Sequence, residues 1–387
     1  MIRGFDAILG HVRRHGLTDH IEVVETWIDH IQDRMVRGEM ARLLGFFWLR
    51  NQDPDKAVHY CDMATALLPG NAETVNNAML ALLQAGRWAD VIPRGRDAQT
   101  QFGETFQWHS NLCTAHGRLG LLSEARYHGT RCLELEDAAV TAGPVRDLAE
   151  VPVPPFDPGR PQRNVVSFSL FGGDENHHRT AIKNARAAQF LYLGWTCQFY
   201  VDDSVPGSVV QALSSEGARV LKVNGIPATP FGTFWRFLVA DDPDVDRYVI
   251  RDAGTVLNIR ESVAVSEWLA SNRHFHVMRD HYDHTDLVVP GMWGGVSGAL
   301  PPVEHSARQY LTSRNDIPGD TADQEFLRDR LWPTIRTSVM THDSQFEFGD
   351  KRDFPDVGCL PNNCYVGCDG QLMLGANPTP VAYAGVP

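Results

Sequence analysis

The sequence predicts a module of paired helices followed by an α/β domain. Helical patterning covers residues 1 to about 140 and contains a 34-residue repeat, and six prolines lie within residues 144–161. Beyond them, strand-like runs alternate with helical stretches. Proline donates no backbone hydrogen bond, so the proline-rich stretch cannot continue a helix or an inner strand. We therefore predict helical repeats at 1–143, a linker at 144–163 and an α/β domain at 164–387.

The helical period is visible as apolar or small residues at fixed offsets. Two such sets, seven residues apart, recur every 34 positions: Ala57, Val91 and Ala125, then Ala64, Ala98 and Cys132. The turn between paired helices is expected at Gln52, Gly86 and Gly120. This pattern is typical of tetratricopeptide hairpins, because helices approach closely only where side chains are small; an irregular helical bundle is the alternative. Stacked hairpins form a concave surface, so we expect this module to recruit an acceptor, a protein partner or a second copy.

Charge and cysteine content narrow the class of partner. The formal net charge of −13 disfavours a nucleic-acid or anionic-membrane surface, although a local basic pocket for one phosphorylated ligand remains compatible with it. Seven scattered cysteines fit a reducing compartment better than a disulfide framework. The N-terminus lacks the apolar run of a signal peptide, and no stretch approaches the roughly 20 apolar residues that span a bilayer. We expect a cytoplasmic protein without a transmembrane segment.

The second half reads as an alternation of strands and helices. Strands are predicted at 165–171, 196–201, 218–223 and 247–250, and helices at 178–193, 205–216 and 231–240. Such alternation predicts parallel pairing in an α/β sandwich. Ligands of these sheets bind beyond the carboxyl ends of the strands, so residues 171–175, 202–203 and 251–254 are expected at one functional edge.

An interrupted acidic motif follows the fourth predicted strand. A strand that ends in Asp-x-Asp is how many sugar-nucleotide transferases hold Mn²⁺ or Mg²⁺, and the metal neutralises the departing diphosphate. Here Asp252 takes the first acidic position, while Gly254 takes the second and offers no side-chain oxygen.

The region from about 164 to 370 resembles bacterial GT-A-type glycosyltransferases of polysaccharide-synthesis loci, some of which are fused to tetratricopeptide repeats. The matching segments are SFSLFG (167–172), FYVDDSVP (199–206), FWRFLVADDPDVDRYVIRDAG (234–254), FHVMRDHYDH (275–284), GMWGG (291–295), DQEFL (323–327), LWP (331–333) and HDS (342–344). The resemblance implies a GT-A-like fold and transfer of a sugar from a nucleoside-diphosphate sugar to a saccharide or small-molecule acceptor.

The resemblance also implies roles for individual residues. Asp252 and His342 would form a metal site whose affinity for Mn²⁺ or Mg²⁺ is weakened at Gly254. The implied nucleotide-sugar-binding residues are Ser169, Phe171, Gly172, Asp202, Arg236, Arg251 and Asp252. The implied catalytic residues are Asp323, Gln324 and His281. The implied acceptor-side residues are Asp280, His284 and Trp293, of which Trp293 either stacks on a sugar or anchors a loop in the core. Whether the transfer retains or inverts the configuration at the anomeric carbon stays open, and the pair Asp323 and Gln324 favours retention.

Gly254 leaves three interpretations open. The transferase has weakened metal dependence or a changed mechanism, in which Arg236, Arg251 or Arg260 stabilises the departing phosphate in place of a metal. Alternatively, the domain has lost catalysis and serves as a binding or scaffold protein, or the motif is misaligned. A related option is transfer of a sugar to a small molecule in a specialised-metabolite pathway.

Two further groups have the composition of metal sites. His274, His276, His281 and His284 lie near Asp280 and Asp283, which would suit Zn²⁺, although the resemblance favours contacts with sugar hydroxyls. Cys359, Cys364 and Cys368 supply three thiols but need a fourth ligand, and a small buried strand is the favoured reading.

Overall fold

The chain forms two compact units, Met1–Glu136 and Asp137–Pro387. The computed structural model describes residues 21–140, 145–223, 231–313, 321–358, 360 and 364–370. Pro144, where the predicted linker begins, lies outside the described residues, and residues 145–160 contain neither helix nor strand. Within the described ranges, no helix is both long enough and apolar enough to cross a membrane.

The first unit is helical, as predicted. Its helices are α1 (Ile21–Trp27), α2 (Arg34–Arg50), α3 (Pro54–Leu67), α4 (Ala72–Gln84), α5 (Trp88–Phe102), α6 (Phe106–Arg118) and α7 (Leu122–Ala139). Asp33, Asp53, Asn71 and Thr105 accept backbone N–H groups at the starts of α2, α3, α4 and α6. These caps satisfy donors that have no partner inside the helix, and so fix where each helix begins.

The 34-residue register is present in the backbone as well as in the packing. The predicted turn residues Gln52, Gly86 and Gly120 all have left-handed backbones, with φ of 55°, 70° and 74°. The predicted close-contact residues between the helices are 0–2% exposed: Ala57, Ala64, Val91, Ala98, Ala125 and Cys132. The prediction of helix hairpins in this register is therefore confirmed.

Close helix contacts depend on small residues. Gly45 in α2 lies against Cys61 in α3, and a Cβ at position 45 would be 2.6 Å from the Cys61 Sγ atom. Gly95 in α5 lies in the same way against Leu112 in α6, with 2.7 Å to its Cδ2 atom. These contacts tie neighbouring hairpin helices together at distances that no larger side chain permits.

Three histidines form a cluster between α6 and α7. His109 and His116 are almost completely buried, and His128 lies between their rings. The Nδ1 atoms of His109 and His128 are 2.9 Å apart, so one of them donates and the other accepts. Burial, together with the neighbouring histidines, lowers the pKa of His128 to about 4. The packing of these helices therefore favours the neutral forms of His109 and His128.

The second unit contains an eight-stranded mixed sheet in the order β3-β2-β1-β4-β6-β5-β7-β8. Its strands are β1 (Asn164–Leu170), β2 (Thr196–Val201), β3 (Arg219–Lys222), β4 (Arg247–Arg251), β5 (Phe275–Arg279), β6 (Met292–Val296), β7 (Val339–Asp343) and β8 (Lys351–Arg352). Parallel pairing among the first four strands, predicted from the alternation, is confirmed. The sheet is not parallel throughout, because β6 pairs antiparallel with both β4 and β5.

Helices cover this sheet. They are α8 (Glu175–Leu191), α9 (Gly207–Ser215), α10 (Ile259–Leu269), α11 (Val303–Ser313), α12 (Ala322–Phe326) and α13 (Trp332–Ile335). A π-helical turn, Leu327–Leu331, joins α12 to α13. The helix predicted at 231–240 is a 3-10 helix, Gly232–Asp241, which packs beside β1.

The strand directions define the functional edge. Because β4 and β5 are both antiparallel to β6, they run the same way, and β1, β2 and β7 share that direction. The loops after β1, β4 and β5 therefore open at one edge. The core behind them includes Phe168 stacked on Phe199, with ring centres 4.5 Å apart.

Candidate functional site

A cavity of about 400 Å³ lies where β1 and β4 end. Its lining residues come from the end of β1 and the loop after it, the first turn of α8, the 3-10 helix, the loop after β4 and one late segment: Ser169, Leu170, Phe171, His177, Thr233, Arg236, Asp252, Ala253, Gly254, Thr255 and Asp369. The cavity thus contains the interrupted acidic motif and the predicted binding residues Ser169, Phe171 and Arg236.

A larger cavity of about 830 Å³ lies at the opposite sheet edge, lined by Val245 and Asp246 before β4 and by Ser297 after β6. Several of its charged groups neutralise one another, since Arg163 pairs with Asp246 and Arg308 with Glu304. Its position at the amino end of β4 separates it from the motif, so the smaller cavity is the better candidate site.

Arg236 is the central charge of the candidate site. Its backbone N–H donates to the Ser169 hydroxyl over 2.9 Å, and its carbonyl accepts from the Ser167 hydroxyl over 2.7 Å, which fixes the residue beside β1. One guanidinium nitrogen, Nη1, pairs with Asp252, and the other, Nη2, donates to Asp323 Oδ2 over 2.8 Å. Burial opposes the charge, but the two carboxylates raise the pKa of Arg236 above its ordinary value. The guanidinium is therefore a permanent cation between two acids.

The two acids differ in environment. The Asp252 side chain is 43% exposed and faces the cavity, whereas the Asp323 side chain is 6% exposed. Burial raises the pKa of Asp323, with a smaller contribution from the charge of Asp252. Burial, together with the charge of Asp323, raises the pKa of Asp286 to about 6. Sequence reasoning had not identified Asp286.

The space that the second acid of the motif would need is occupied by His177. A Cβ at position 254 would lie 2.6 Å from the His177 Nε2 atom, closer than real side chains approach. The other ring nitrogen, Nδ1, lies 2.9 Å from Asp174 Oδ2. Gly254 therefore accommodates an imidazole, and no sequence pattern predicted an imidazole at this place.

A late segment closes the cavity wall beside the motif. The Gly370 N–H donates to the Gly254 carbonyl over 2.9 Å, and the Val256 N–H donates to the Cys368 carbonyl over 3.0 Å. Thr255 and Asp369 form a β-bridge between these contacts. This bridge pairs Asp369 with a residue more than 100 positions earlier in the chain, which explains why sequence reasoning missed it.

The predicted partner of Asp252 in a metal site lies elsewhere. His342 is on β7, three strands from β4, or roughly 14 Å away at about 4.8 Å per strand. Its Nδ1 atom is 2.8 Å from His276 Nε2, and its Nε2 atom is 3.1 Å from Glu267 Oε2. The structure therefore does not bring Asp252 and His342 together, and both imidazole nitrogens of His342 already have partners.

Of the three arginines proposed to replace a metal, only Arg236 lines the cavity. Arg251 is buried, its Nη2 atom donating to the Tyr192 hydroxyl over 3.1 Å and its Nε lying 3.5 Å from Glu261. Arg260 donates to both carboxylate oxygens of Asp280 over 3.0 Å. Arg251, expected to bind nucleotide-sugar, instead stabilises the layer between the sheet and its helices.

The expected acceptor residues Asp280 and His284 contact each other, and neither lines the 400 Å³ cavity. Asp280 is held by Arg260, by the Ser344 hydroxyl and by the Val366 N–H. Its own N–H donates to His284 Nδ1 over 3.0 Å. His281 stacks on Tyr365 with ring centres 4.0 Å apart.

Trp293 is fully buried against Phe237 and Tyr248, so its ring cannot stack on a sugar. Of the two alternatives for this residue, the structure favours the core anchor.

Three remaining predicted residues flank the cavity. The Gly172 N–H donates to the Ser204 hydroxyl over 2.6 Å, and Asp202 accepts the Ser204 N–H over 3.0 Å. These contacts join the loops after β1 and β2. Gln324 follows Asp323 in α12, and its N–H donates to Asp323 Oδ1 over 3.0 Å.

The residues present do not fit the metal that the resemblance implies. Asp252 is paired with Arg236, Gly254 offers no oxygen, and His342 lies on a distant strand. Among the described residues, no group of three or more histidine, cysteine or acidic side chains is arranged to hold an ion, whether around His274 and His276 or elsewhere. Cys359 lies outside the described residues, so the three-thiol alternative is untested, while Cys364 and Cys368 are buried and free.

The sequence matches no protein-family model and no curated protein. One similar solved structure is an O-GlcNAc transferase mutant from Thermobaculum terrenum, with 17% identity and a TM-score of 0.41. The match covers 64% of this chain but only 45% of that one. A second is a mycobacterial protein with 14% identity and a TM-score of 0.32, covering 56% of this chain and 73% of the other. Likenesses this weak assign neither family nor activity to this chain.

Proposed function

We propose that the α/β unit is a GT-A-like glycosyltransferase that binds a nucleoside-diphosphate sugar in the 400 Å³ cavity and works without a divalent ion. The observation that carries this proposal is Arg236, whose guanidinium contacts both Asp252 and Asp323. A positive charge thus stands beside the first acid of the motif, where related transferases use a metal. Saccharides or small molecules are the proposed acceptors.

Arg236 retains the capacity to stabilise a departing diphosphate. A guanidinium has five N–H donors, and each Nη nitrogen carries two of them. One contact to Asp252 and one to Asp323 leave further donors for a ligand in the cavity that Arg236 lines. A cation held in place in a partly dehydrated site stabilises charge that develops on the leaving group without reorganising. Arg236 would therefore perform the electrostatic task for which the metal-binding residues are lacking.

The two acids beside Arg236 would contribute to binding of the sugar. Asp252 is half-exposed to the cavity, so its second oxygen can accept hydroxyl hydrogen bonds, while Asp323 orients the guanidinium from the buried side. Ser169 and Thr233 add hydroxyl groups to the lining. The helical unit is proposed to recruit the acceptor, a protein partner or a second copy.

Calorimetric titration tests the proposal. UDP, GDP and their sugars are titrated into the full chain in the presence of EDTA and again with Mn²⁺. We expect one nucleotide class to bind with the same affinity under both conditions, and its sugar to be hydrolysed slowly without metal. Failure of every nucleotide to bind would contradict a transferase, and binding that needs Mn²⁺ would contradict the role of Arg236.

A non-catalytic binding protein is the second candidate. The observation in its favour is that Arg236 neutralises the same two acids that catalysis would use. The same experiment separates the candidates, since a binding protein would hold the nucleotide-sugar without hydrolysing it and without transferring it to any acceptor in a saccharide panel.

A further inference from the structure

The imidazole ring of His177 occupies the space beside Gly254 in which the side chain of the second acidic residue of the motif would lie. It lies in the first turn of α8, and its Nε2 atom is 2.6 Å from where a Cβ of residue 254 would be. His177, Asp252 and Gly254 line the same cavity. The missing carboxylate has therefore been replaced in space by an imidazole from another element.

Asp174 fixes the orientation of this imidazole. The aspartate caps α8 by accepting the Asn176 N–H over 2.8 Å, and its second oxygen lies 2.9 Å from His177 Nδ1. The capping hydrogen bond, helped by His177, lowers the pKa of Asp174, so this carboxylate stays ionised. An ionised carboxylate accepts the Nδ1 proton, which leaves Nε2 as the nitrogen turned toward position 254.

The charged side chains around the cavity indicate which kind of ligand the His177 Nε2 atom would bind. Apart from His177, the charged groups that line the cavity are Arg236, Asp252 and Asp369, and Asp323 lies behind Arg236. These acids outnumber the arginine, so any further positive charge in the cavity would favour binding of a diphosphate. No described group of side chains is arranged to bring that charge in as a metal ion. An imidazole with a proton on each nitrogen supplies it.

We propose that His177 binds the diphosphate of the donor directly, donating from Nε2 to a phosphate oxygen while Asp174 accepts from Nδ1. This inference rests on the proposed function, because it assigns a residue to the same donor site. His177 acts by hydrogen bonding and charge, and the diphosphate leaves without taking its proton. Gly254 is then a requirement of the site, since any side chain at 254 displaces the ring.

A double-mutant cycle tests this assignment. His177→Leu removes the donor, and Gly254→Ala displaces the ring without altering it. We expect each substitution to weaken UDP or GDP binding roughly 10- to 100-fold in EDTA, the size of one charge-assisted hydrogen bond. The double variant should lose no more than either single variant, because both remove the same contact. Uridine or guanosine, which lack phosphates, should bind equally to all four proteins.

His305→Gln is the matched control, since His305 is exposed at the opposite edge of the sheet. Nitrogen-15 spectra of the imidazole report protonation independently, and both ring nitrogens of His177 should carry protons in the complex. Unchanged diphosphate affinity in His177→Leu would overturn the inference while leaving the proposed function intact. An unprotonated Nε2 whose resonance is broadened by Mn²⁺ would overturn it in favour of a metal ligand. Absence of nucleotide binding by the unaltered chain would overturn both.

Discussion

Arg236 and Asp323 form an ion pair in which both side chains are almost completely buried, with 2.8 Å between Nη2 and Oδ2. Arg236 extends the pair to Asp252, which faces the cavity. Burying a charge costs several kcal/mol unless a partner compensates it, so the three groups depend on one another. The same contacts that hold the fold therefore set the charge of the candidate site.

Arg236→Met should abolish nucleotide binding and lower the free energy of unfolding by about 3–5 kcal/mol, because it leaves Asp323 buried without a cation. Arg236→Lys should lose less stability than Arg236→Met. It should nevertheless bind nucleotide more weakly than the unaltered chain, because an ammonium lacks the planar fork that reaches both acids. Urea unfolding followed by hydrogen exchange of β1 and β4 amides measures the first effect, and calorimetry the second.

The control is Arg186→Met, which breaks an exposed pair with Glu216. Such surface pairs contribute little, so we expect no measurable change in unfolding or binding. Full nucleotide affinity in Arg236→Met would refute the proposed role of Arg236.

The buried pair of Arg251 and Glu261 should behave differently. Both side chains are 2% exposed, and the Tyr192 hydroxyl bridges them. Glu261→Ala should destabilise the α/β unit by about 3–5 kcal/mol, since it leaves a buried guanidinium uncompensated. Nucleotide affinity, measured by calorimetry below the unfolding transition, should stay unchanged. A selective loss of affinity would show that Arg251 belongs to the ligand site after all.

Local sequence patterns predicted much of the fold because local physics determines those parts. Glycine tolerates left-handed backbone, so Gly86 and Gly120 marked turns that the structure contains. The alternation of strands and helices likewise predicted the parallel strands β1 to β4. The antiparallel strand β6 had no such pattern, because MWGGV carries two glycines and its direction depends on β4 and β5.

The site was predictable only where its residues lie on the motif or in recognisable segments. Asp252, Arg236 and Asp323 were assigned to one site, and the structure places them in contact. His177 lies 77 residues before Gly254 and sits in an ordinary polar helix start, so nothing local marks it. His342 is far from Asp252 because the strand order inserts β6 and β5 between their strands, a long-range result that no motif encodes.

The histidine cluster predicts acid sensitivity of the helical unit. The pKa of His128 is about 4 in the folded chain against 6.5 for an unperturbed histidine, and burial also lowers the pKa of His109. The unfolded chain therefore binds more protons between these values, and stability falls as the pH drops from 6.5 toward 4. Hydrogen exchange of α6 and α7 amides, measured across this range, should show protection decreasing with acid.

His128→Gln should flatten this pH dependence, because the amide does not titrate. His59→Gln alters an exposed histidine of α3 in the same unit and should leave the profile as it is. A profile that stays equally steep in His128→Gln would contradict the role of the cluster.

The close contact between Gly45 and Cys61 predicts that a larger side chain at residue 45 destabilises the hairpin of α2 and α3. A Cβ at position 45 would lie 2.6 Å from the Cys61 Sγ and 3.1 Å from its backbone nitrogen. Gly45→Ala gains up to about 1 kcal/mol of helix propensity but incurs about 1–3 kcal/mol of overpacking, so we expect net destabilisation. Gly70→Ala is the control, since a Cβ there meets no atom within 4 Å. Adding Cys61→Ala to Gly45→Ala should restore part of the loss, because it removes the sulfur that the new methyl group strikes. Hydrogen exchange of α2 and α3 amides measures all three, and protection in Gly45→Ala equal to that of the unaltered chain would show that the hairpin adjusts without cost.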